Sequence, residues 1–379
     1  MPLSAWSKID TPHPIPPPRG EGDSPLGAVM RATSAQLKEV AVEILKGFQA
    51  TDEEADLVAE SLVRADMRGI DTHGIHFLTL LSRRIDARMI QVPTRVKVVK
   101  DDGAITLIDG GNGLGQVAAH RAMEMSVQKA RLYGIGAALV RNTNHVGILA
   151  FYAIHAARQG MVGIAMGNAA PAMAPWGGTE PFFGTNPLAI AVPNGAEEPV
   201  VLDMASSVVA RGKIRRAERM KESIPAGWAL DETGTPTTNP TAAMKGTLLP
   251  IGGPKGYGLA FMIDVLSGLL SGSQYGPSVK TFHQPVGPTG VGMCAVAIDI
   301  TRFMPPDDFQ SLLKPYLRMI RDSKKARGVS RIYVPGEIES EKEKRSEAEG
   351  IELDAASVSN LNQLLERVQS PLRLREESA

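Results

Sequence analysis

The chain has almost no cysteine, no net charge and no long apolar run, and each shortage excludes a class of protein. Cys294 is the only cysteine among 379 residues. It can form no internal disulfide, so a reducing, cytoplasmic setting is expected. Its surroundings, Val291-Gly-Met-Cys-Ala-Val-Ala-Ile298, read as a buried strand with no cation to stabilise a thiolate. Basic and acidic residues number 41 each, so no basic field argues for nucleic acid or an anionic membrane as a partner. No run reaches the ~18 apolar residues a membrane helix requires. The G-x-S-x-G elbow, H-E-x-x-H, C-x-x-C and the P-loop spacing are also missing.

Residues 1 to about 29 are rich in Pro, Gly, Ser and charge and lack the apolar core of a signal peptide. They read as a disordered tail, carried to residue 31, with Met30 as an alternative start. Capping boxes at Thr33-Ser-Ala-Gln36 and Thr51-Asp-Glu-Glu54 then open two amphipathic helices, the second ending at Gly69. A third helical stretch runs to about 85. Strand-like runs at 96–99 and 104–108 precede the turn Asp109-Gly-Gly-Asn-Gly-Leu-Gly115 and a long helix to Tyr133. Further strands fall at 136–140, 161–166, 187–192, 199–203 and 291–298. Helices are expected to about 159 and over 211–221, 259–270, 307–323 and 357–369, with a hairpin in 227–240. The charge run Glu337–Glu349 reads as solvated surface.

The loop Met173–Pro187 is packed with Gly, Pro, Thr and Asn and lies between two strands. Such a loop fits a backbone wrapped around a small ligand, or an elaborate surface loop. Gly113-Leu-Gly-Gln-Val-Ala118 matches G-x-G-x-x-A, but the next strand ends in Leu139-Val-Arg141 without the acid a dinucleotide site needs. A structural strand-to-helix turn is the other reading. In Asp71-Thr-His-Gly-Ile-His76, the pair His73 and His76 lacks a third metal ligand. His73 alone suits proton transfer near neutral pH, or packs without chemistry. His145 stands in a turn with Asn142, Thr143 and Asn144, which either hold a polar ligand or one another. Asp203 at a strand end either faces a cleft or caps a helix. Lys255, between Pro254 and Gly256, suits a ligand phosphate or carboxylate.

Taken together these segments resemble the malate/L-lactate dehydrogenase family, which includes ureidoglycolate and sulfolactate dehydrogenases and Δ1-piperideine-2-carboxylate reductase. The resemblance runs in order from about Ala32 to Val368. It is carried by Ala65-Asp-Met-Arg-Gly-Ile-Asp-Thr-His-Gly74, Asn142-Thr-Asn-His-Val-Gly147, Ala174-Pro-Trp-Gly-Gly178 and Gly184-Thr-Asn-Pro187. Asp203-Met-Ala-Ser-Ser207, Ile224-Pro-Ala-Gly-Trp228, Pro236-Thr-Thr-Asn-Pro240, Lys255-Gly-Tyr-Gly-Leu259 and Pro335-Gly-Glu337 carry the rest. It implies a non-Rossmann α/β fold with a largely antiparallel cofactor-binding sheet and helical N- and C-terminal parts. The implied division is 32–110 helical and substrate-binding, 111–300 NAD(P)-binding, and 301–379 packing back on the N-terminal part.

The implied activity is NAD- or NADP-dependent interconversion of a 2-hydroxy acid and its 2-oxo acid, in a homodimer that needs no metal. A cyclic imine reductase and a non-catalytic ligand-binding relative are the alternatives. Carried to matching positions, His73 exchanges the proton with Thr72 and Asp203 as relay partners, while His145 faces the nicotinamide. In some members the residue matching His145 is the acid–base group. The cofactor is expected at His145, Val146, Gly147, Ile148 and Leu149, at Asp203, Met204 and Ala205, at Lys255, and at Pro288, Thr289 and Gly290. Thr185 and Asn186 are expected to line the pocket. Many members have Arg where this chain has Phe77, so either another cation, such as Arg68, Arg83 or Lys255, grips the substrate carboxylate or the substrate differs.

Overall fold

The computed structural model describes residues 30–375, so the tail over 1–29 lies outside the described residues. Residues 30 and 31, assigned to that tail from sequence, belong instead to strand β1 (Met30–Ala32). Helices α1 (Ser34–Gly47) and α2 (Asp52–Met67) start at complete capping boxes, in which Thr33 and Gln36, and Thr51 and Glu54, satisfy each other's backbone N–H groups. Helix α3 (Phe77–Asp86) completes the N-terminal group. Leu37, Ile44, Leu62 and Leu78 are at most 1% exposed and share a core with Leu361 and Leu365 from the chain's far end. Each such side chain contributes roughly 1.5–3 kcal/mol by leaving water.

The central layer is built from β2 (Lys97–Asp102), β3 (Ile105–Asp109), α4 (Gly115–Tyr133), β4 (Ile135–Thr143), α5 (Ala150–Ala157), β5 (Met161–Gly167), β6 (Leu188–Asn194) and β7 (Glu197–Met204). The next stretch holds α6 (Arg211–Met220), β8 (Ala229–Leu230), β9 (Pro236–Thr237), α7 (Pro240–Lys245), β10 (Thr247–Leu248) and α8 (Pro254–Asp264). The chain returns to the sheet with β11 (Val291–Asp299) and closes with α9 (Pro306–Arg321), α10 (Glu337–Glu349), β12 (Ile351–Leu353) and α11 (Ala355–Arg367).

Seven strands form one sheet in the order β2-β3-β4-β11-β5-β6-β7. Only β3 and β4, joined by the crossover helix α4, run parallel; every other pair is antiparallel. Helices α4 and α5 cover the sheet through small side chains, Ala118, Ala122 and Ala153 packing on Ala138, Ala165, Ala189 and Ala295. Alanines here let the helix axes lie close to the strands. The hairpin β8–β9 pairs with β10 in a separate three-stranded sheet, and β1 pairs with β12.

One further expectation is corrected and another refined. The sheet begins at Lys97, so the boundary placed at residues 110 and 111 separates β3 from its parallel partner β4 and leaves edge strand β2 with β3. Glu337–Glu349 is a helix packed against α2, with Glu343 only 9% exposed. Only Glu343 turns inward, to Arg68 at 2.8 Å; the other residues of the run are exposed or half-buried, as a solvated surface is. Cys294 is buried on β11, and burial pushes its thiol up to about 11.

Candidate active site

The stretch after α2 sets the position of His73. A short 3-10 turn over Asp71–His73 follows the helix, and the carboxylate of Asp66 reaches across to accept the N–H of Ile75 at 2.7 Å. A Cβ on Gly74 would lie 1.7 Å from that carboxylate, so only glycine fits. Asp66 thus fastens the loop on both sides of its histidine. Burial raises the Asp66 carboxyl to about 7, against the lowering effect of the Ile75 N–H. Thr72 Oγ1 and His73 Nδ1 share a hydrogen bond of 2.9 Å.

The second histidine comes from the end of β4. Asn142, Thr143 and Asn144 do not reach for a ligand; they hold the turn itself. Asn142 donates to Asp109 Oδ2 at 2.9 Å, and Asn144 donates to Asn112 Oδ1 and to the Gly113 carbonyl at 3.1 and 2.9 Å. The Thr289 hydroxyl donates to the Thr143 carbonyl and Asn144 Oδ1, both at 3.0 Å. Tyr152 donates to the Val146 carbonyl from below. The glycine-rich match finds its physical use here: a Cβ on Gly115 would lie 2.2 Å from the His145 carbonyl oxygen. This glycine makes room for the histidine turn.

The rings meet at a common wall. His73 and His145 have centroids 5.0 Å apart. Phe77 packs on His145 at 4.5 Å and stacks on Phe282 at 4.7 Å. Arg84 caps the outer side, its guanidinium 4.7 Å from the Phe282 ring while it donates to the carbonyls of Gln284 and Gly287 at 3.1 and 2.7 Å. Burial, reinforced by His76 and opposed by Asp71, lowers His73 to about 4. Burial, then His73 and His283, holds His145 well below the usual histidine value. Both imidazoles are neutral at pH 7. Gly147 N–H donates to His145 Nδ1 at 3.1 Å, which leaves the proton of that ring on Nε2.

Asp203 does not hydrogen-bond to His73. Its Oδ2 accepts the Ala150 N–H at 2.8 Å and caps α5, and burial raises its carboxyl to about 6. The capping alternative is therefore the observed one. Arg68 is 3% exposed and committed to Glu343, so it is removed as a substrate grip. Asn186 is fully buried; its amide accepts from Ala169 N–H at 3.1 Å and donates to the Ala260 carbonyl at 2.9 Å. It ties a loop to α8 and does not line a pocket. Thr185 is half-buried beside it, and its carbonyl accepts both the N–H and the hydroxyl of Ser206 at 2.8 Å.

Hydrogen bonds tie three of the segments expected at the cofactor to their neighbours. Asp203 joins Met204 and Ala205 to the start of α5, Thr289 joins Pro288 and Gly290 to the His145 turn, and Ile251 N–H joins the Lys255 turn to the Ser206 carbonyl at 2.9 Å. Val146, Ile148 and Leu149 are buried, so this segment offers a ligand its backbone, His145 and Gly147. Lys255 is exposed in the first turn of α8. Behind Gly147, the Gln116 amide is buried with neither of its polar atoms bonded among the described residues.

Sequence reasoning missed three contributors. Asp66 lay inside a quoted motif without a role. Phe282 carried no signal, being distant in sequence. Arg211 and Arg215 were read only as a basic helix, yet the field of both bears on His283, and the first turn of α6 lies against Thr72. Arg211 is half-buried and donates to the Met244 carbonyl at 2.7 Å.

Comparison with known proteins gives concordant matches. A family model described as malate/L-lactate dehydrogenase matches residues 32–362. The solved sulfolactate dehydrogenase from Methanocaldococcus jannaschii aligns with a TM-score of 0.85 and 37% identity, covering 90% of this chain and 98% of that one. Ureidoglycolate dehydrogenase (NAD(+)) of Escherichia coli strain K12 is 35% identical over 302 residues, 79% of this chain and 86% of the relative. The (2R)-3-sulfolactate dehydrogenase (NADP(+)) of Chromohalobacter salexigens is 36% identical over 271 residues, 71% and 80% respectively.

Proposed function

The chain belongs to the malate/L-lactate dehydrogenase family and is an NAD(P)-dependent oxidoreductase of 2-hydroxy acids; on that premise we propose that His73 is its acid–base residue. The observation that carries this reading is the Thr72–His73 hydrogen bond beside the His145 ring. With Nδ1 donating to the threonine hydroxyl, Nε2 of a neutral His73 is free to take the proton of a substrate hydroxyl. His145, protonated on Nε2, donates a hydrogen bond to the same oxygen and steadies the charge that develops there. Bound nicotinamide supplies the hydride acceptor or donor for substrate C2. The wall of Phe77 and Phe282 excludes water from the proton path. In the reducing direction His73 returns the proton to the carbonyl oxygen.

Residues His145 to Leu149, Asp203 to Ala205, Lys255 and Pro288 to Gly290 would hold the nicotinamide cofactor. With Arg68 committed to Glu343, the substrate carboxylate falls to Arg211 and Arg215 of α6, next to Thr72 and His283. The same reading takes lactate or malate as model substrates, a cytoplasmic location and a homodimer. Leu312, Tyr316 and Met319 turn an apolar face of α9 outward, 64%, 60% and 69% exposed, as a surface for the second copy.

The aromatic pair also favours a second reading. Phe77 against Phe282 suits a flat cyclic imine 2-carboxylate better than a second charged group. Oxidation of NADH and NADPH against a panel of 2-oxo acids and cyclic imines separates the two. Turnover of the open-chain acids supports the first reading and turnover of imines alone the second. No absorbance change with any of them would remove both.

A further inference from the structure

A second histidine pair lies away from the cleft, on the outer faces of α4 and α5. His120 and Glu124 are one helical turn apart on α4, and His155 faces them from α5. Their ligating atoms all lie within 4.8 Å of one another, and all three side chains are half-buried. The two imidazoles meet edge to face at 4.7 Å, and His120 Nδ1 lies 3.9 Å from Glu124 Oε2. Glu124 and His155 line a cavity of about 420 Å³ between α2, α4 and α5. We propose that His120, Glu124 and His155 bind a divalent transition metal, Zn²⁺ or one of similar ligand preference, with its remaining coordination position open to this cavity.

The donor set decides the class of ion. Two imidazoles and one carboxylate suit Zn²⁺, which takes nitrogen at ~2.0–2.1 Å and oxygen at ~2.0–2.2 Å, and do not suit Ca²⁺ or Mg²⁺, which take oxygen. An i, i+4 pair on one helix puts both ligands on one face. The third comes from a neighbouring helix already packed against the first. Closing from 4.8 Å to tetrahedral spacing is within the reach of side-chain rotation, with Glu124 and His155 on the cavity wall and His120 edge to face with His155. At neutral pH an imidazole already offers the lone pair a metal requires. The Gln159 amide lies 2.9 Å from His155 Nε2 and, as an N–H donor, contacts a lone pair; metal entry exchanges this contact for a coordinate bond. Of the neighbouring arginines, Arg64 is balanced by Glu60 at 3.1 Å and Arg158 by Glu198 at 3.2 Å, whereas Arg121 lies 3.6 Å from Glu124 Oε2 and must yield that oxygen to the metal.

The consequence is structural. Helix α4 begins under the His145 carbonyl, and α5 begins where Asp203 caps it. A metal bridging their second turns would pin together the two helices that carry the His145 turn.

The test uses the full chain, free of any polyhistidine tag and stripped with EDTA, with Zn²⁺ alone as the probe. Equilibrium dialysis should give one tightly held zinc per chain, and Zn²⁺ should raise Tm by a few degrees. His120→Gln and His155→Gln should each weaken binding about 10–100-fold, the range seen when a metal site loses a supporting group, and abolish the Tm rise. Glu124→Gln provides a third, milder variant should a histidine change impair folding; Tm in EDTA equal to that of the parent shows that it does not. Co²⁺ in place of zinc should give the intense visible bands of a tetrahedral site in the parent alone. No stoichiometric zinc in the parent overturns the proposal. So does zinc that survives both histidine changes or is lost instead in His76→Gln, which would place it in the cleft.

Discussion

Two pairs of histidines sit at nearly equal ring spacing in this chain, 5.0 Å for His73 and His145 and 4.7 Å for His120 and His155, and their surroundings give them different chemistry. In the first pair one nitrogen of each ring is already bonded, to the Thr72 hydroxyl and to the Gly147 N–H. The nearby carboxylates of Asp66 and Asp203 are occupied by backbone N–H groups, and aromatic rings fill the rest. Such a pair can pass a proton, and among the described residues it forms no metal-holding group with a third ligand. In the second pair a carboxylate lies one helical turn from a histidine, beside an open cavity. Ring spacing alone does not distinguish proton carrier from metal ligand; the commitments of the neighbouring carboxylate do.

The comparison is broken most directly at His73. His73→Ala should lower turnover about 10²–10⁴-fold with Tm unchanged, as measured in NADH-coupled assays. A smaller loss there than in His145→Ala would reverse the ranking of the two. Because burial lowers His73 to about 4, loss of 2-hydroxy acid oxidation from its protonation should set in near that pH and not at the 6.5 of a free histidine.

Asp66 sharpens the contrast between the carboxylates. Its folded-state value of about 7 exceeds its ordinary 3.8, so the folded chain binds this proton more tightly than the unfolded one. The associated stability is present below pH 3.8 and is lost as pH rises to about 7. Asp66→Asn should therefore gain on the parent over that window, by up to ~4 kcal/mol. Tm of both proteins at pH 4.5 and pH 8 reads the difference, and a gap that does not widen with pH would refute it.

The smallest effect concerns the cations. Arg211→Ala or Arg215→Ala should raise KM for the acid substrate about 10–100-fold with a lesser change in kcat, since a charged hydrogen bond is worth ~1.5–3 kcal/mol. An unchanged KM in both variants would return the carboxylate to Lys255 or Arg83.

Much of the fold was legible because it is written locally. The capping boxes at Thr33 and Thr51 needed only four residues each, and the alternation in 161–166 and 187–192 named two strands of the sheet. The histidine loops were legible as motifs. Their partners were not, since the contacts span large sequence distances: Arg68 meets Glu343, and Phe77 meets Phe282. Asn186 looked like a pocket residue because a loop amide is as suited to a ligand as to a backbone; the nearby Ala260 carbonyl settled which. His120 and His155 carried no signal apart, because their shared carboxylate becomes a partner only when α5 lies against α4.

The sequence by itself determined most of the larger helices and sheet strands, the family and the kind of reaction, because capping, periodicity and motif residues act over a few neighbours; β1, α10 and β12 escaped it. Tertiary structure decided which charges remain free to act. It withdrew Arg68, Asn186 and Asp203 into internal bonds and brought Arg211 and Arg215 close enough for their charge to bear on His283. Burial is the physical reason. A polar group removed from water costs free energy unless it is bonded, and the partners found here lie 53 to 275 residues away in sequence.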